Sequence, residues 1–215
     1  MEPYYQDEWT TLFCGDCREI LPTLPKVDLC LTDPPYGINA DRDRHSQRWG
    51  WVDYGNSGWD NKPATEDQIG ACRESAENQI IWGGNYFHLP PSQCWLIWDK
   101  GQRNFDLADG EMAWTSFASS LRIFTYPRTR ANLETKFHPT QKPTALMCWC
   151  IENNSEIDHA ILDPFAGSGT TLVAARLLKR KSIGIEISEK YCELIVNRLN
   201  KSIPLFEPEQ AKLEL

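Results

Sequence analysis

Short apolar runs bounded by turn-forming residues recur along the chain, and each predicts a buried strand. These runs are Val27–Thr32, Gln79–Trp82, Cys94–Trp98, Ala160–Leu162 and Ser182–Ile185. Helices are favoured over Thr65–Glu77, Thr170–Lys179 and Ser188–Leu199. The last of these has the clearest helical period, because apolar residues recur three, four and eight positions after Tyr191. Strands therefore alternate with helices over much of the chain.

This alternation favours an α/β fold in which a mostly parallel sheet carries helices on both faces. In such sheets, ligands bind beyond the carboxyl ends of the strands. Two irregular stretches, Gly37–Pro63 and Arg122–His138, break the alternation. A loop as long as Gly37–Pro63 in a compact domain is usually functional or mobile. We therefore expect it to overhang any site formed by the segment that precedes it.

The composition is typical of one globular domain, with 215 residues of which 41% are hydrophobic and 24% charged. No apolar run approaches the roughly 20 residues of a membrane span. The acidic N-terminus lacks the features of a signal peptide, so we expect a cytoplasmic protein. A net charge of −8 disfavours general binding to nucleic acid. Residues 121–142 nevertheless carry five cations and one anion, which suits either a phosphate-binding patch or a solvated loop.

Eight cysteines are present, and without a secretion signal they are expected to be reduced thiols rather than disulfides. Cys14 with Cys17, and Cys148 with Cys150, could form the two halves of a zinc site. Small buried hydrophobic residues are the interpretation we prefer for these cysteines. The four histidines have no metal-ligand spacing, so no metal site is predicted.

The segment TDPPYGI at residues 32–38 follows an apolar run directly. Its two prolines fix φ and remove two backbone donors, so neither sheet nor helix can continue through them. The sequence therefore predicts an exposed, rigid turn at the carboxyl end of a strand. This turn presents the Asp33 carboxylate, the Pro34 carbonyl and the Tyr36 ring, which suits catalysis but also suits a simple turn.

The segment DPFAGSGTT at residues 163–171 lies between a predicted strand and a predicted helix. Small residues there allow a ligand to approach the backbone and the helix N-terminus. A phosphate-binding loop would need a lysine that is absent, and a dinucleotide-binding loop would need glycine in place of Leu172. Asp163 would repel phosphate but suits an ammonium group, and Glu186, at the end of the next strand, suits ribose hydroxyls. A nucleoside with an ammonium group and no phosphate describes S-adenosylmethionine.

TDPPY together with DPFAGSGTT resembles the amino-methyltransferases of DNA, which methylate exocyclic nitrogens of adenine or cytosine. Further stretches that carry the resemblance are FCGDCREILPTLP (13–25), IIWGGNYF (80–87), WLIWDK (95–100) and HPTQKP (138–143). The resemblance spans residues 12–200, and the order of the motifs resembles the beta arrangement of that family. It implies a Rossmann-like fold that uses S-adenosylmethionine, in a prokaryotic or phage-encoded enzyme of the kind found in restriction-modification systems.

The resemblance also implies roles for individual residues. Asp33 and the Pro34 carbonyl would accept the two hydrogens of the exocyclic amine, Pro35 would hold the turn rigid, and Tyr36 would stack on a flipped-out base. The residues implied around the cofactor are Asp16, Thr140, Gln141, Lys142, Asp163, Phe165, Ala166, Gly167, Gly169, Thr170, Glu186 and Ile187. Some have simpler explanations: Asp16 as a helix cap, Phe165 as core, Glu186 as a solvated acid and Lys142 as part of the phosphate patch.

The substrate is expected to be double-stranded DNA, with a homodimer as one possible way to grip it. A single domain over residues 1–215 leaves no room for a separate target-recognition domain, so recognition is expected to fall to irregular loops at about 37–64 and 126–138. Arg128, Arg130 and Lys136 would contact phosphate, which positions DNA without reading its sequence. Residues that would enter a groove or fill the gap left by a flipped base are Arg42, Arg44, Arg48, Trp49 and Trp51.

Adenine N6 is favoured as the target, because enzymes specific for cytosine N4 often carry serine where Asp33 stands. Three alternatives remain open from the sequence: a cytosine-N4 DNA methyltransferase, a methyltransferase for RNA or protein glutamine, and a non-catalytic nucleic-acid-binding module. The glutamine enzymes carry their cofactor motif first, whereas here the catalytic motif comes first.

Overall fold

A single mixed sheet runs through the computed structural model, which describes residues 2–38, 61–103, 108–131 and 141–202. Its strands within these ranges are β1 (Tyr5–Gln6), β2 (Thr10–Cys14), β3 (Val27–Thr32), β4 (Ala76–Trp82), β5 (Trp95–Asp99), β6 (Gly110–Thr115), β7 (Arg122–Thr125), β8 (Ala160–Asp163) and β9 (Lys181–Glu186). The helices are α1 (Cys17–Ile20), α2 (Glu66–Glu74), α3 (Arg128–Ala131), α4 (Thr144–Asn154), α5 (Thr170–Leu177) and α6 (Glu189–Leu199). Short 3-10 turns cover Leu21–Thr23 and Gly84–Tyr86.

The strand order is β1-β2-β9-β8-β3-β4-β6-β5-β7. The five central strands β2, β9, β8, β3 and β4 are parallel, whereas β6 runs antiparallel to both β4 and β5. From β3 the chain proceeds through α2 to β4, which lies on one side of the pair formed by β3 and β8. From β8 it proceeds through α5 to β9, which lies on the opposite side of that pair. The two connections diverge, so the boundary between β3 and β8 is the topological switch point where α/β sheets bind ligands.

Helices cover both faces of the sheet, as predicted. On β3, Leu29 and Leu31 pack in one cluster with residues of α4 and α5, whereas Cys30 packs in another with residues of α1 and α2. This alternation follows from the two-residue period of a strand. The helix α6 packs on α5 and on Leu12 of β2. The predicted Rossmann-like α/β fold is therefore confirmed.

Five predicted strands are present with small shifts at their ends. The stretch predicted to be irregular, Arg122–His138, was wrong in its first part, because Arg122–Thr125 form β7 and Arg128–Ala131 form α3. The predicted helix Thr65–Glu77 was wrong at its C-terminal end, because α2 ends at Glu74 and Ala76 already pairs with Val27 of β3. The helix α4 was not predicted, since its apolar residues are spread around the helix rather than confined to one stripe.

Several predicted DNA-facing and cofactor-facing residues lie outside the described residues, namely Arg42, Arg44, Arg48, Trp49, Trp51, Lys136 and Thr140. The proposed single domain and its two irregular loops therefore stay predictions. In the part of the chain that the structure describes, no helix is long and apolar enough to cross a membrane.

Two adjacent glycines follow β4 and allow close packing beside it. Gly83 adopts a left-handed conformation with φ of 65°, and a Cβ there would overlap the Tyr36 ring. A Cβ on Gly84 would overlap Cβ of Trp114 and lie 2.9 Å from its backbone nitrogen. The backbone of β6 is fixed by its two neighbouring strands, so it cannot easily move away. The two glycines therefore allow the Tyr36 turn and β6 to approach the end of β4.

We expect the substitution Gly84→Ala to lower the free energy of unfolding by about 1–3 kcal/mol, because it overpacks a buried contact. The matched control is Gly70→Ala in the middle of α2, where a Cβ would meet nothing within 4 Å. This control should raise the free energy of unfolding by about 0.5–1 kcal/mol, since alanine is the better helix former. Urea denaturation measures both changes. A Gly84→Ala protein as stable as the wild type would show that the contact with Trp114 is loose.

Candidate active site

A cavity of about 250 Å³ lies beyond the carboxyl ends of β3, β8 and β9. Asp33 and Pro35 border it from the turn after β3, Asp163 from the end of β8 and Glu186 from the end of β9. Because parallel strands end at the same edge of a sheet, segments that are far apart in the chain meet here. The cavity thus joins the two motifs that the sequence singled out.

Asp33 is held by two donors at one side of the cavity. The Tyr36 hydroxyl donates to Oδ1 of Asp33, and the Lys142 ammonium donates to Oδ2 at 2.6 Å. Lys142 Nζ also donates to the Tyr36 hydroxyl at 3.2 Å. The Lys142 side chain is only 4% exposed, whereas 23% of the Asp33 side chain remains accessible. A partly open carboxylate is therefore oriented by a buried ammonium.

Lys142 has a second carboxylate partner, Glu111 of β6, which the sequence analysis missed. Oε2 of Glu111 lies 3.0 Å from Lys142 Nζ, and Oε1 lies 2.6 Å from Nζ of Lys100, which follows β5. Glu111 lies on β6 and Lys100 directly follows β5, the antiparallel neighbour of β6, so their contact depends on that pairing. No short motif in the sequence signals such a contact.

These contacts shift the pKa values of Asp33, Tyr36, Lys142 and Glu111. Burial raises the pKa of the Asp33 carboxyl, against the opposing effects of Lys142 and Tyr36. Burial also raises the pKa of the Tyr36 hydroxyl well above its usual value, and the charge of Asp33 adds to this effect. Although burial lowers the pKa of Lys142, the carboxylates of Asp33 and Glu111 raise it well above its usual value. Burial would raise the pKa of Glu111, but Lys142 and Lys100 hold it at about 2.

The remainder of the DPPY turn has the rigidity that its prolines predict. The Pro35 carbonyl accepts a hydrogen bond of 2.9 Å from the Ala64 backbone nitrogen. Tyr36 forms an isolated bridge with Pro63, so the turn is tied to the segment that precedes α2. Within the described ranges, the Pro34 carbonyl accepts no hydrogen bond. Pro34 itself is buried and does not line the cavity, so its role as an acceptor stays a prediction.

Tyr36 belongs to a small aromatic group at this side of the cavity. Tyr86 stacks on Tyr36 with ring centroids 4.9 Å apart and an interplanar angle of 13°. Phe87 meets Tyr36 edge to face at 6.2 Å. Tyr86 is 48% exposed, so the stacked pair presents aromatic surface to solvent. Aromatic surface of this kind suits contact with a planar ring.

Asp163 is buried among hydroxyl and amide donors. Its Oδ1 accepts hydrogen bonds from Thr32 Oγ1 at 2.7 Å and from the Phe165 backbone nitrogen at 3.1 Å. Burial raises the pKa of Asp163 to about 6, against the opposing hydrogen bonds from Thr171 and Thr32. Across the described part of the chain, no lysine or arginine forms an ion pair with Asp163. This buried carboxylate suits a cationic group of a ligand.

Glu186 closes the cavity at the end of β9. Its two oxygens accept from the backbone nitrogens of Gly167, at 2.7 Å, and Ser188, at 2.9 Å. Burial raises the pKa of Glu186 to about 7, despite these hydrogen bonds. Ser188 stands at the N-cap of α6, but its side chain makes no capping hydrogen bond. Ser188 thus contacts the Glu186 carboxylate through its backbone nitrogen.

Asp16 both caps a helix and lines the cavity. It accepts from the Arg18 backbone nitrogen at 2.9 Å as the N-cap of α1, and it forms an ion pair with the Arg18 side chain. Hydrogen bonds from Arg18 lower the pKa of Asp16. Phe165 likewise borders the cavity while packing against two core clusters. The structural and functional explanations for these two residues are compatible.

Most of the other predicted cofactor residues also line the cavity. They are Gln141, Lys142, Ala166, Gly167, Thr170 and Ile187. Gly169 does not line it; this residue is the N-cap of α5, with φ of 79°, and packs against Ile195. Arg198 of α6 donates to the Ser168 carbonyl and to the Thr170 hydroxyl, which ties the glycine-rich loop to α6.

Some residues that line the cavity were not predicted, including Gly15, Cys17, Gln68 and Tyr191. Gly15 and Cys17 flank Asp16, so the neighbouring motif was an available signal for them. Gln68 and Tyr191 belong to helices whose position is decided by tertiary packing.

Of the predicted phosphate-contacting residues, Arg128 and Arg130 lie on α3, with Arg130 exposed. No cluster of potential metal ligands occurs among the residues that the structure describes.

Comparison with solved structures places this fold among DNA methyltransferases. The structure titled M1.HpyAVI-SAM complex has a TM-score of 0.61 and 24% sequence identity, over 88% of this chain and 100% of that chain. The structure of PvuII DNA methyltransferase, described as cytosine-N4-specific, has a TM-score of 0.59 and 18% identity, over 92% of this chain and 88% of that chain. At these identities the likeness concerns the fold.

Two curated relatives are also similar in sequence. Type II methyltransferase M.ScaI of Streptomyces caespitosus is 26% identical over 92% of this chain and 84% of that protein. Type II methyltransferase M2.MboI of Moraxella bovis is 44% identical, over 55% of this chain and 45% of that protein.

A family model described as DNA methylase, for enzymes of the N6 and N4 type, matches residues 74–197, which is more than half of the chain. This match confirms the predicted class of enzyme, a DNA amino-methyltransferase with S-adenosylmethionine as its methyl donor. The chain therefore belongs to the N6-adenine and N4-cytosine DNA methylase family.

Proposed function

We propose that this protein transfers a methyl group from S-adenosylmethionine to the exocyclic N6 of an adenine flipped out of double-stranded DNA. One observation carries the proposal: Asp33, Asp163 and Glu186 line a single cavity. The carboxylate that suits the amine to be methylated therefore lines the same cavity as two carboxylates that suit the methyl donor. Methyl transfer needs this proximity, because most of its acceleration comes from orientation and electrostatics.

The cavity has the chemistry that S-adenosylmethionine requires. Asp163 would hold the ammonium group of its methionine end, Glu186 the ribose hydroxyls, and Asp16 the amine of its adenine ring. The backbone at Gly167, which has φ of 52° and no side chain, allows close approach. Bound S-adenosylmethionine supplies an electrophilic methyl group on a sulfonium sulfur. The carboxylates that line this cavity would repel the phosphates of a dinucleotide.

The DPPY turn would make the exocyclic amine a better nucleophile. The lone pair of such an amine is delocalised into the ring, which makes the nitrogen planar and unreactive. Asp33 and the Pro34 carbonyl would each accept one N–H hydrogen, which favours a tetrahedral nitrogen with a localised lone pair. Formation of the new C–N bond would be accompanied by breakage of the bond between the methyl carbon and sulfur, with S-adenosylhomocysteine as the leaving group. The nitrogen would then be cationic and would release one proton, which the Asp33 carboxylate could accept. Lys142 holds Asp33 in place during these events.

Adenine is proposed over cytosine because the first position of the turn is Asp33. Adenine-N6 enzymes of this family resemble the present chain in carrying an acidic residue there, whereas cytosine-N4 enzymes often carry serine. The stacked pair Tyr36 and Tyr86 would offer aromatic surface to the flipped base.

Arg128 and Arg130 would contact phosphate, and the remaining recognition is proposed to come from the loops at about 37–64 and 126–138. Assembly as a homodimer and a cytoplasmic location stay predictions.

The base can be identified by incubating the protein with S-adenosylmethionine and unmethylated bacterial DNA, and then digesting the DNA to nucleosides. We expect N6-methyladenine by mass spectrometry, because the first position of the turn is the acidic Asp33 rather than the serine that cytosine-N4 enzymes often carry. N4-methylcytosine would support the same family with the other base. Methylation of RNA or protein, with none in DNA, would contradict the proposal.

We expect Asp33→Asn to slow methyl transfer by at least ~100-fold, because the carboxylate contacts the acceptor amine and takes up its proton. Cofactor affinity, measured by calorimetry, should stay within about threefold of the wild type, since Asp33 lies on the acceptor side. The control is Asp67→Asn in the first turn of α2, an exposed residue away from the cavity lining. Turnover of Asp33→Asn close to that of the control would refute the assigned role.

Cofactor affinity is expected to depend on pH. In the free protein the pKa values of Asp163, about 6, and Glu186, about 7, are raised by burial, so both groups take up protons as the pH falls. Only the ionised forms pair with an ammonium or accept from two ribose hydroxyls, so binding should be on the order of 100-fold weaker at pH 5.5 than at pH 7.5. The substitutions Asp163→Asn and Glu186→Gln should each weaken binding and flatten this dependence. An affinity independent of pH would place the cofactor elsewhere.

A further inference from the structure

Glu111 stands behind the active site, on β6, beyond the residues that line the cavity. It accepts from two lysines at once, Lys100 at 2.6 Å and Lys142 at 3.0 Å. These lysine side chains are only 11% and 4% exposed. With Asp33, the cluster holds two positive and two negative groups, so its charges balance. The mechanism described above uses Asp33 and Lys142 but assigns nothing to Glu111 or Lys100.

The surroundings of Lys142 explain why it needs two carboxylates. Its Nζ lies 5.4 Å from the centroid of the Tyr36 ring and 5.8 Å from that of Trp82, so aromatic rings replace much of its water. A buried ammonium keeps its charge only when ionised or strongly polar acceptors surround it. Its three hydrogens are directed to Asp33 Oδ2, Glu111 Oε2 and the Tyr36 hydroxyl.

We propose that Glu111 is a positioning residue for methyl transfer: it holds the Lys142 ammonium between two carboxylates, so that Lys142 gives Asp33 a single hydrogen bond and leaves lone pairs of that carboxylate open for the substrate amine. Without the charge of Glu111, the ammonium would turn fully to Asp33 and compete with the amine for the same oxygens. Lys100 completes the arrangement by fixing the other oxygen of Glu111. This inference rests on the proposed function of Asp33.

Changes of charge at Glu111 and Lys100 should shift the pKa of Asp33, which a merely structural role would not require. The charged or titratable groups that face Asp33 from the surrounding elements are Tyr36, Lys142, Glu111 and Asp163, with Lys100 behind Glu111. The negative charge of Glu111 raises the pKa of Asp33. Removal of that charge should therefore lower the pKa of Asp33. Removal of Lys100 leaves Glu111 less neutralised and should raise the pKa of Asp33.

The test compares Glu111→Gln, Glu111→Asp and Lys100→Met with a matched pair of controls. The controls are Glu77→Gln and Lys26→Met, which remove the partners of an exposed ion pair with a 3.1 Å contact at the amino ends of β3 and β4. Single-turnover methyl transfer to unmethylated bacterial DNA is measured from pH 5.5 to 9 with saturating S-adenosylmethionine. Calorimetry gives cofactor affinity and urea denaturation gives the stability of each variant, so damage to folding or cofactor binding is seen directly.

We expect Glu111→Gln to lower the single-turnover rate about tenfold or more, with cofactor affinity within about twofold of the wild type. The acid limb of its rate profile should move to lower pH, whereas that of Lys100→Met should move to higher pH. Glu111→Asp restores the charge and should recover part of the rate, and the controls should match the wild type.

The inference is overturned if Glu111→Gln keeps the wild-type rate and profile, or if the two acid limbs move in the same direction. It is also overturned if the loss of rate only follows a loss of stability or cofactor affinity. A wild-type protein that transfers no methyl group to DNA would overturn the proposed function as well, whereas an active wild type with unaffected variants would overturn this inference alone.

Discussion

The parallel pairing of β3 with β8 is the constraint on which the rest of the site depends. Cys30 of β3 lies beside Leu162 of β8, so both strands end within a few residues of each other at one edge of the sheet. Asp33 and Asp163 follow at those ends and reach the same cavity. Connections leave the two strands in opposite directions, which opens a crevice between them. The two carboxylates therefore meet at one cavity, although 131 positions of chain separate Asp163 from Thr32, which donates to it.

Buried charge is handled differently on the two sides of the cavity. On the acceptor side, Asp33, Glu111, Lys142 and Lys100 neutralise one another, and each ammonium contacts at least one carboxylate within 3.0 Å. Loss of one member would leave an uncompensated buried charge, which typically costs about 3–5 kcal/mol. Mutual compensation of these charges suits the proposed role of Asp33, which requires a carboxylate held in one geometry.

On the other side, Asp163 and Glu186 have backbone and hydroxyl donors but no cationic partner among the residues that the structure describes. Asp163 and Glu186 consequently have pKa values raised by burial to about 6 and about 7. A cationic ligand group beside such a carboxylate would favour its ionised form. In the free protein, burial disfavours the ionised forms of these carboxylates. A cationic ligand group would compensate for that cost, whereas a phosphate would add negative charge, so the pocket does not suit phosphate.

The sequence by itself determined the strand-ending motifs, the alternation of strands and helices and the chemistry of Asp33, Asp163 and Glu186, because these depend on local backbone preferences and on residue type. Tertiary structure decided which distant residues meet. Lys142 was assigned from the sequence to the cofactor or to phosphate, yet it pairs with Asp33 across 109 positions of chain. Glu111 and Lys100 gave no local signal, since their contact exists only after β5 and β6 pair. Ion pairs of this kind depend on strand register and burial, and neither is encoded in a short stretch of sequence.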